Sequence, residues 1–287
     1  MIVLGALRAV AHLNCGTFRP IGVPQCVTHV LACRYEHGVI LVDAGIGQDD
    51  SPSSLGLSAR VMRPSFSPAE PAHAQLHSLG ISPRDVRGIV ATHLDWDHAN
   101  GILDFPDAAV YVASAEWDNA VHRAGIQLRA RYPERTITAI APQVSRIDDI
   151  PARRTTEHFD IATVRWLDQH EQLGMLELPG HTQGHSAVVI RLPPSHPHHG
   201  RVLIHAGDAY FRHTDIVARR VPSSTAIMER LLAQSPRAIR DNHRFLRRAE
   251  SAGHLVVCSH DRAQYLALRG FTDAVSTAPS PRMENPS

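Results

Sequence analysis

The sequence predicts an α+β fold in which two β-sheets pack face to face with helices on the outside. Three observations carry this reading. Short apolar runs rich in β-branched residues recur in both halves of the chain. Each strand-rich half closes with helical patterns, and the simplest way to bury both sets of strands is sheet on sheet. No repeat of solenoid period and no linker divides the chain, so residues 1–270 read as one domain, and 271–287, rich in Ser, Pro, Asn and Thr, as a disordered tail.

Taken in order, Val27 to Arg34 and Val39 to Val42 are strands joined by a Glu36-His37-Gly38 turn, and the second ends in the polar Asp43-Ala44-Gly45. Ser51 to Pro71 reads as a surface loop and Pro71 to Leu79 as a helix. Val86 to Ala91 is a short buried strand, followed by a polar segment and a short helix ending near Gly101. Ala108 to Ala113 is a strand, and Ser114 to Arg123 a helix with Ser114 as its N-cap. In the second half Thr163 to Leu167, Met175 to Leu178, Ala187 to Leu192, Val202 to His205 and Leu255 to Cys258 are strands. Pro193 to Gly200 is a loop, and Ser223 to Ala252 holds one or two helices.

The bulk numbers narrow the function. The chain has 287 residues, 43% hydrophobic and 20% charged, as in an ordinary globular protein that buries a core without staples. A formal net charge of +1 with no basic stripe argues against a nucleic-acid partner. All 29 basic residues are arginine, which excludes Schiff-base and P-loop lysine chemistry. The four cysteines, at 15, 26, 33 and 258, show no metal or redox spacing and read as buried thiols of a reducing compartment. The apolar N-terminus lacks the form of a signal peptide, and no run is long enough for a membrane span, so the expectation is a cytoplasmic protein with no membrane partner. Histidine is the outlier, with 20 copies.

The strongest signal is His93-Leu94-Asp95-Trp96-Asp97-His98. His93, Asp95 and Asp97 alternate, so an extended backbone points them to one side, and His98 follows as the chain turns. Four potential metal ligands in six residues stand just beyond a buried strand, the end at which α/β sheets place their sites. Three later strands deliver His181, Asp208 and His260 in the same manner. Each alone is weak; four such strand ends together are specific.

These residues resemble the pattern H-x-H-x-D-H, then H, D and H, of the metallo-β-lactamase superfamily, over nearly the whole chain from the Asp43 loop to His260. The segment His12 to Thr17 is similar to uncharacterised members. The resemblance implies an αββα sandwich of two mixed sheets with two divalent metal ions at one edge: zinc, with manganese or iron as options. It implies that His93, Asp95 and His181 hold the first ion, that Asp97, His98 and His260 hold the second, and that Asp208 bridges them. Asp43 would support the site by hydrogen bonds. Asp97, Asp208 and Tyr210 are the residues expected to take part in catalysis. In acyl-homoserine lactonases of this superfamily, a tyrosine three residues after the bridging aspartate stabilises the oxyanion; Tyr210 stands two residues after Asp208. His185 is a candidate partner of the ligands, while His196, His198 and His199 read as a solvated loop cluster.

The chain departs from the family at Asp95, where a histidine is usual. Asp is a common metal ligand. Two divalent ions against Asp95, Asp97, Asp208 and a hydroxide sum to about zero, where a histidine would leave about +1, so the first site should be harder and less electrophilic. The function implied is hydrolysis of a small ester, lactone or thioester by metal-activated hydroxide. The short interval from His181 to Asp208 has no room for the large domain inserted in nuclease members. The alternative is a di-iron or mononuclear iron redox enzyme, since flavodiiron relatives carry a glutamate where Asp95 stands; the stretch after His260 is too short for their flavodoxin domain. A non-catalytic binding protein is disfavoured by the complete ligand set. The sequence leaves the oligomeric state open.

Overall fold

The computed structural model describes residues 2–55, 57–154, 163–217 and 224–269. Its first sheet runs in chain order through β1 (Leu7–Phe18), β2 (Cys26–Tyr35), β3 (Gly38–Val42), β4 (Val86–Val90), β5 (Ala109–Val112) and β6 (Val144–Arg146). The first three strands pair antiparallel and the last four parallel. The second sheet contains β7 (Arg153–Arg154), β8 (Thr163–Trp166), β9 (Leu173–Glu177), β10 (Ser186–Arg191), β11 (Val202–His205) and β12 (Leu255–Val257), antiparallel except for β11 with β12. Both sheets are mixed.

The side-chain period of 2 in a strand explains the layers. In β2, Leu31 and Cys33 enter the core between the sheets, while Val30 and Ala32 enter the outer core. In β10, Val188 and Ile190 face the first sheet, and Ala187 and Val189 face outward. These strands are buried on both faces, which is why they read as continuous apolar runs rather than alternating ones.

The helices before β6 are α1 (Pro52–Leu55), α2 (Leu57–Met62), α3 (Ala72–Ser78), α4 (Trp96–Ala99), α5 (Ser114–His122), α6 (Gly125–Arg131) and α7 (Glu134–Ile140). Leu76 of α3, Trp117 of α5 and Ile140 of α7 cover the outer face of the first sheet. The later helices are α8 (His213–Val217), α9 (Ser224–Leu232), α10 (Pro236–Ser251) and α11 (Arg262–Leu268). Ile216 of α8 and Leu246 and Ala249 of α10 cover the second. The result is helix, sheet, sheet, helix. Among the described residues no helix is long and apolar enough to cross a membrane.

Several elements differ from the sequence expectations. The twelve-residue β1 has no clean alternation, because His12 and Asn14 interrupt its apolar positions and its pairing with β2 shifts register twice. The stretch expected to be a loop contains α1 and α2. Ser114 is the first residue of α5, not its cap; Ala113 precedes it and makes no side-chain capping bond. The segment holding α6 and α7 carried no expectation. The expected tail lies outside the described residues.

Candidate metal centre

The segment after β4, the loop between β9 and β10, and the ends of β11 and β12 converge at one edge of the sandwich. His93, Asp95, Asp97, His98, His181, Asp208 and His260 are all buried there. Their ligand atoms form three groups, each compact enough to share an ion: His93 with Asp95 and His181, His93 with His98 and Asp208, and Asp97 with His98 and His260. Asp95 Oδ2 stands 3.5 Å from His93 Nε2 and 3.0 Å from His181 Nε2. Asp208 reaches both ends of the cluster, with Oδ2 3.4 Å from His181 Nε2 and 3.1 Å from His260 Nε2, and Oδ1 3.3 Å from His98 Nε2. Donor atoms bound about 2.1 Å from a tetrahedral ion lie roughly 3.4 Å apart, so these spacings suit a metal.

The backs of the imidazoles are held. His98 Nδ1 bonds Asp43 Oδ2 at 2.9 Å, and His260 Nδ1 donates to the Val27 carbonyl at 2.8 Å. The Thr92 hydroxyl lies 3.0 Å from His93 Nδ1 and donates to Asp43 Oδ2 at 2.9 Å, while the Thr92 backbone N–H donates to Oδ1 at 2.7 Å. Such partners fix the ring orientation and leave Nε2 for an ion. His93 Nε2, His98 Nε2 and Asp208 Oδ1 are buried and make no aligned hydrogen bond, although the last two stand 3.3 Å apart. Orphaned polar atoms of this kind are costly unless something binds them, and a metal fits this donor set.

The electrostatics match a cation site. Burial would lower the His98 imidazole, but Asp208, Asp97 and Asp43 raise it well above its ordinary value. Burial raises the Asp97 carboxyl, and the neighbouring Asp208 and Asp95 add to this against the pull of His98 and His260. Carboxylates packed this closely need a shared positive partner.

Three residues hold the loops. Buried Glu116 accepts the Leu94 backbone N–H at 2.9 Å and the Thr182 hydroxyl at 2.6 Å, tying the first motif to the His181 loop. His185 donates from Nδ1 to the Leu178 carbonyl at 2.9 Å and accepts the Asp208 backbone N–H at Nε2, also at 2.9 Å. Gly207 has φ +53°, and a Cβ there would come within 2.6 Å of His185 Nε2 and 2.9 Å of Thr92 Oγ1. Only glycine lets Asp208 enter at this point.

Arg131, at the end of α6, is the residue that sequence reasoning missed. Its Nε donates to Asp95 Oδ1 at 2.9 Å, and Nη2 donates to Oδ2 at 2.7 Å. Burial opposes ionisation of Asp95, yet the Arg131 guanidinium, with His93 and His181, holds its carboxyl well below the usual range. The excess negative charge expected from Asp95 is therefore compensated: carboxylate and guanidinium together sum to zero, like the neutral histidine usual at that position. No motif marks Arg131 in a chain whose 29 basic residues are all arginine.

Tyr210 corrects another expectation. It is fully buried in the outer core of the second sheet, and its hydroxyl donates to Gln264 Oε1 at 3.3 Å. Both residues lie in the turn beyond β11, where Tyr210 packs outward and Phe211 borders the cluster. The Phe211 ring lies 5.9 Å from His181 and 5.2 Å from His260, and it has no hydroxyl for an oxyanion. His196, expected to be solvated, is buried 6.2 Å from the His12 ring.

Comparison with known proteins agrees with this architecture. The family profile of the metallo-beta-lactamase superfamily matches residues 21–220. A probable metallo-hydrolase of Mycobacterium tuberculosis is 36% identical over 267 residues, covering 91% of this chain and 82% of the relative. An N-acyl homoserine lactonase of Azorhizobium caulinodans is 25% identical over 274 residues, covering 91% and 92%. Among solved structures, an N-acyl homoserine lactone hydrolase with the product N-hexanoyl-L-homoserine at its catalytic metal centre superposes with a TM-score of 0.66 at 17% identity, covering 91% of this chain and 96% of that one. With the profile spanning more than half of the sequence and a relative above 30% identity along nearly all of it, the chain belongs to the metallo-beta-lactamase superfamily, among its metallo-hydrolases.

Proposed function

We propose that this chain uses two divalent ions, zinc in the first instance, to hydrolyse a small ester, lactone or thioester. The observation that carries this reading is the set of orphaned buried atoms, His93 Nε2, His98 Nε2 and Asp208 Oδ1, facing one space while the backs of the two rings are held by Thr92 and Asp43. His93, Asp95 and His181 would hold the first ion and Asp97, His98 and His260 the second, with Asp208 between them. Asp95 leaves manganese or iron acceptable at the first site. When bound, such a pair lowers the pKa of a water and polarises the oxygen under attack.

The residues of the chain supply the rest. Asp43, Thr92 and the Val27 carbonyl orient His98, His93 and His260. Asp97, whose Oδ2 lies 3.7 Å from His260 Nε2, would complete the donor set of the second ion. Phe211 presents an apolar edge between His181 and His260, which limits water there. The similarity to lactone hydrolases supports a cyclic or acyclic carboxylic ester over a phosphodiester, although Phe211 gives no phenol for the oxyanion. The four cysteines are buried and unpaired, which suits the cytoplasm.

The test is a panel of lactones, thioesters, aryl esters and phosphodiesters, run on protein stripped of metal and reloaded with zinc, manganese or iron, with oxygen consumption followed in parallel. Metal-dependent hydrolysis of a carboxylic ester, lactone or thioester with no oxygen uptake is expected. Oxygen uptake by the iron form without hydrolysis would establish the redox alternative.

A further inference from the structure

Arg131 touches the cluster differently from every other supporting residue. Asp43, Thr92 and the Val27 carbonyl bind the Nδ1 atoms of His98, His93 and His260, on the far side from the cluster. Arg131 instead binds the atoms that face inward. Its Nη2 donates to Asp95 Oδ2 at 2.7 Å and also reaches His181 Nε2. Those are two of the three donor atoms that, with His93 Nε2, complete the first group. The guanidinium is pinned from behind, since Nη1 donates to the Leu232 carbonyl at 2.9 Å, and only 14% of the side chain is exposed. Nothing similar stands at the second group: among the described residues the ion-pair partners of Asp97 and Asp208 are all histidines.

We propose that Arg131 is a resident counter-cation that makes the two metal sites unequal. The Asp97–His98–His260 site binds its ion tightly. The His93–Asp95–His181 site binds its ion weakly and exchangeably, because that ion must take the one lone pair of His181 Nε2 from Arg131 and share Asp95 Oδ2 with a fixed positive charge. Two cations within a few Å of each other in a buried site repel strongly. The same guanidinium keeps Asp95 and His181 in place when the first ion leaves, so no carboxylate is left buried and alone. This proposal rests on the reading of the cluster as a two-metal site.

The test is a Zn2+ titration of the stripped full-length chain against a chromophoric competing chelator. It compares the wild type with Arg131→Met, Arg131→Gln and the double variant Asp95→His with Arg131→Met, each checked by its circular dichroism melt. The wild type should bind one ion tightly and a second more weakly. In Arg131→Met and Arg131→Gln the second ion should bind about 10-fold tighter or more, a size comparable to known effects of groups that touch ligands but of opposite sign. The double variant removes both buried charges and should also bind its second ion tightly, which keeps the question open to decision if a single variant does not fold. A second ion bound no better, or about 10- to 100-fold worse, in the folded variants would overturn the proposal and make Arg131 an ordinary support for Asp95. A wild type that binds no zinc would instead defeat the metal reading itself.

Discussion

Asp43 Oδ2 accepts the Nδ1 proton of His98 at 2.9 Å, and both side chains are sealed from solvent. Asp43 also sits at φ +59°, in the left-handed region that aspartate tolerates better than most residues. The carboxylate thus joins the end of β3 to the motif after β4. Asp43→Ala should lower zinc affinity at the Asp97–His98–His260 site about 10- to 100-fold, the usual cost of losing the partner of a metal-binding histidine. Competition titration with a chelator checks this; unchanged affinity would mean that His98 does not depend on Asp43.

Asp208 lies within 3.4 Å of ligand atoms at both ends of the cluster. Asp208→Ala should therefore release at least one ion per chain and abolish nearly all hydrolysis. Elemental analysis of the dialysed variant, beside its rate on the best substrate of the panel, measures both. Full metal content with residual turnover would remove Asp208 from the bridging position.

Tyr210, expected at the reacting oxygen, lies in the outer core, and Phe211 borders the cluster instead. Tyr210→Phe should leave kcat within about 2-fold and cost about 1 kcal/mol of stability, the scale of one hydrogen bond to Gln264. A loss of about 100-fold in kcat, the scale of a removed oxyanion donor, would return Tyr210 to the reaction. This pair also shows how far the sequence was legible. The four strand ends were readable because ligand spacing and apolar runs are local signals, and all seven expected ligands meet in one place. What decides which ring faces the site is the path of the turn after β11, and spacing alone does not fix it. Arg131 was illegible for another reason: its contact with Asp95 crosses 36 positions and depends on where α6 ends. Without that contact, the charge at Asp95 was counted alone.

Away from the metal centre, His12 and His29 share a hydrogen bond of 2.8 Å in the buried core. Burial, with the nearby His196, His205 and His198, pushes His12 from its ordinary 6.5 down to about 3. Below pH 6.5 the unfolded chain binds a proton there that the folded chain refuses, so stability falls as pH drops from 6.5 toward 3. Each such proton contributes about 1.4 kcal/mol per pH unit. Urea unfolding of the stripped protein between pH 6 and 5 should show a shallower loss for His12→Gln than for the wild type. Equal slopes would mean that His12 is protonated in the folded state.

The central claim is that this cluster holds two ions. Crystals grown in excess zinc, with anomalous data collected on either side of the zinc edge, test it most directly. The account predicts two anomalous peaks about 3.5–4 Å apart, one among His93, Asp95 and His181 and the stronger among Asp97, His98 and His260, with Asp208 between them. No peak within the cluster, or a single full peak with Asp208 turned away, would contradict it.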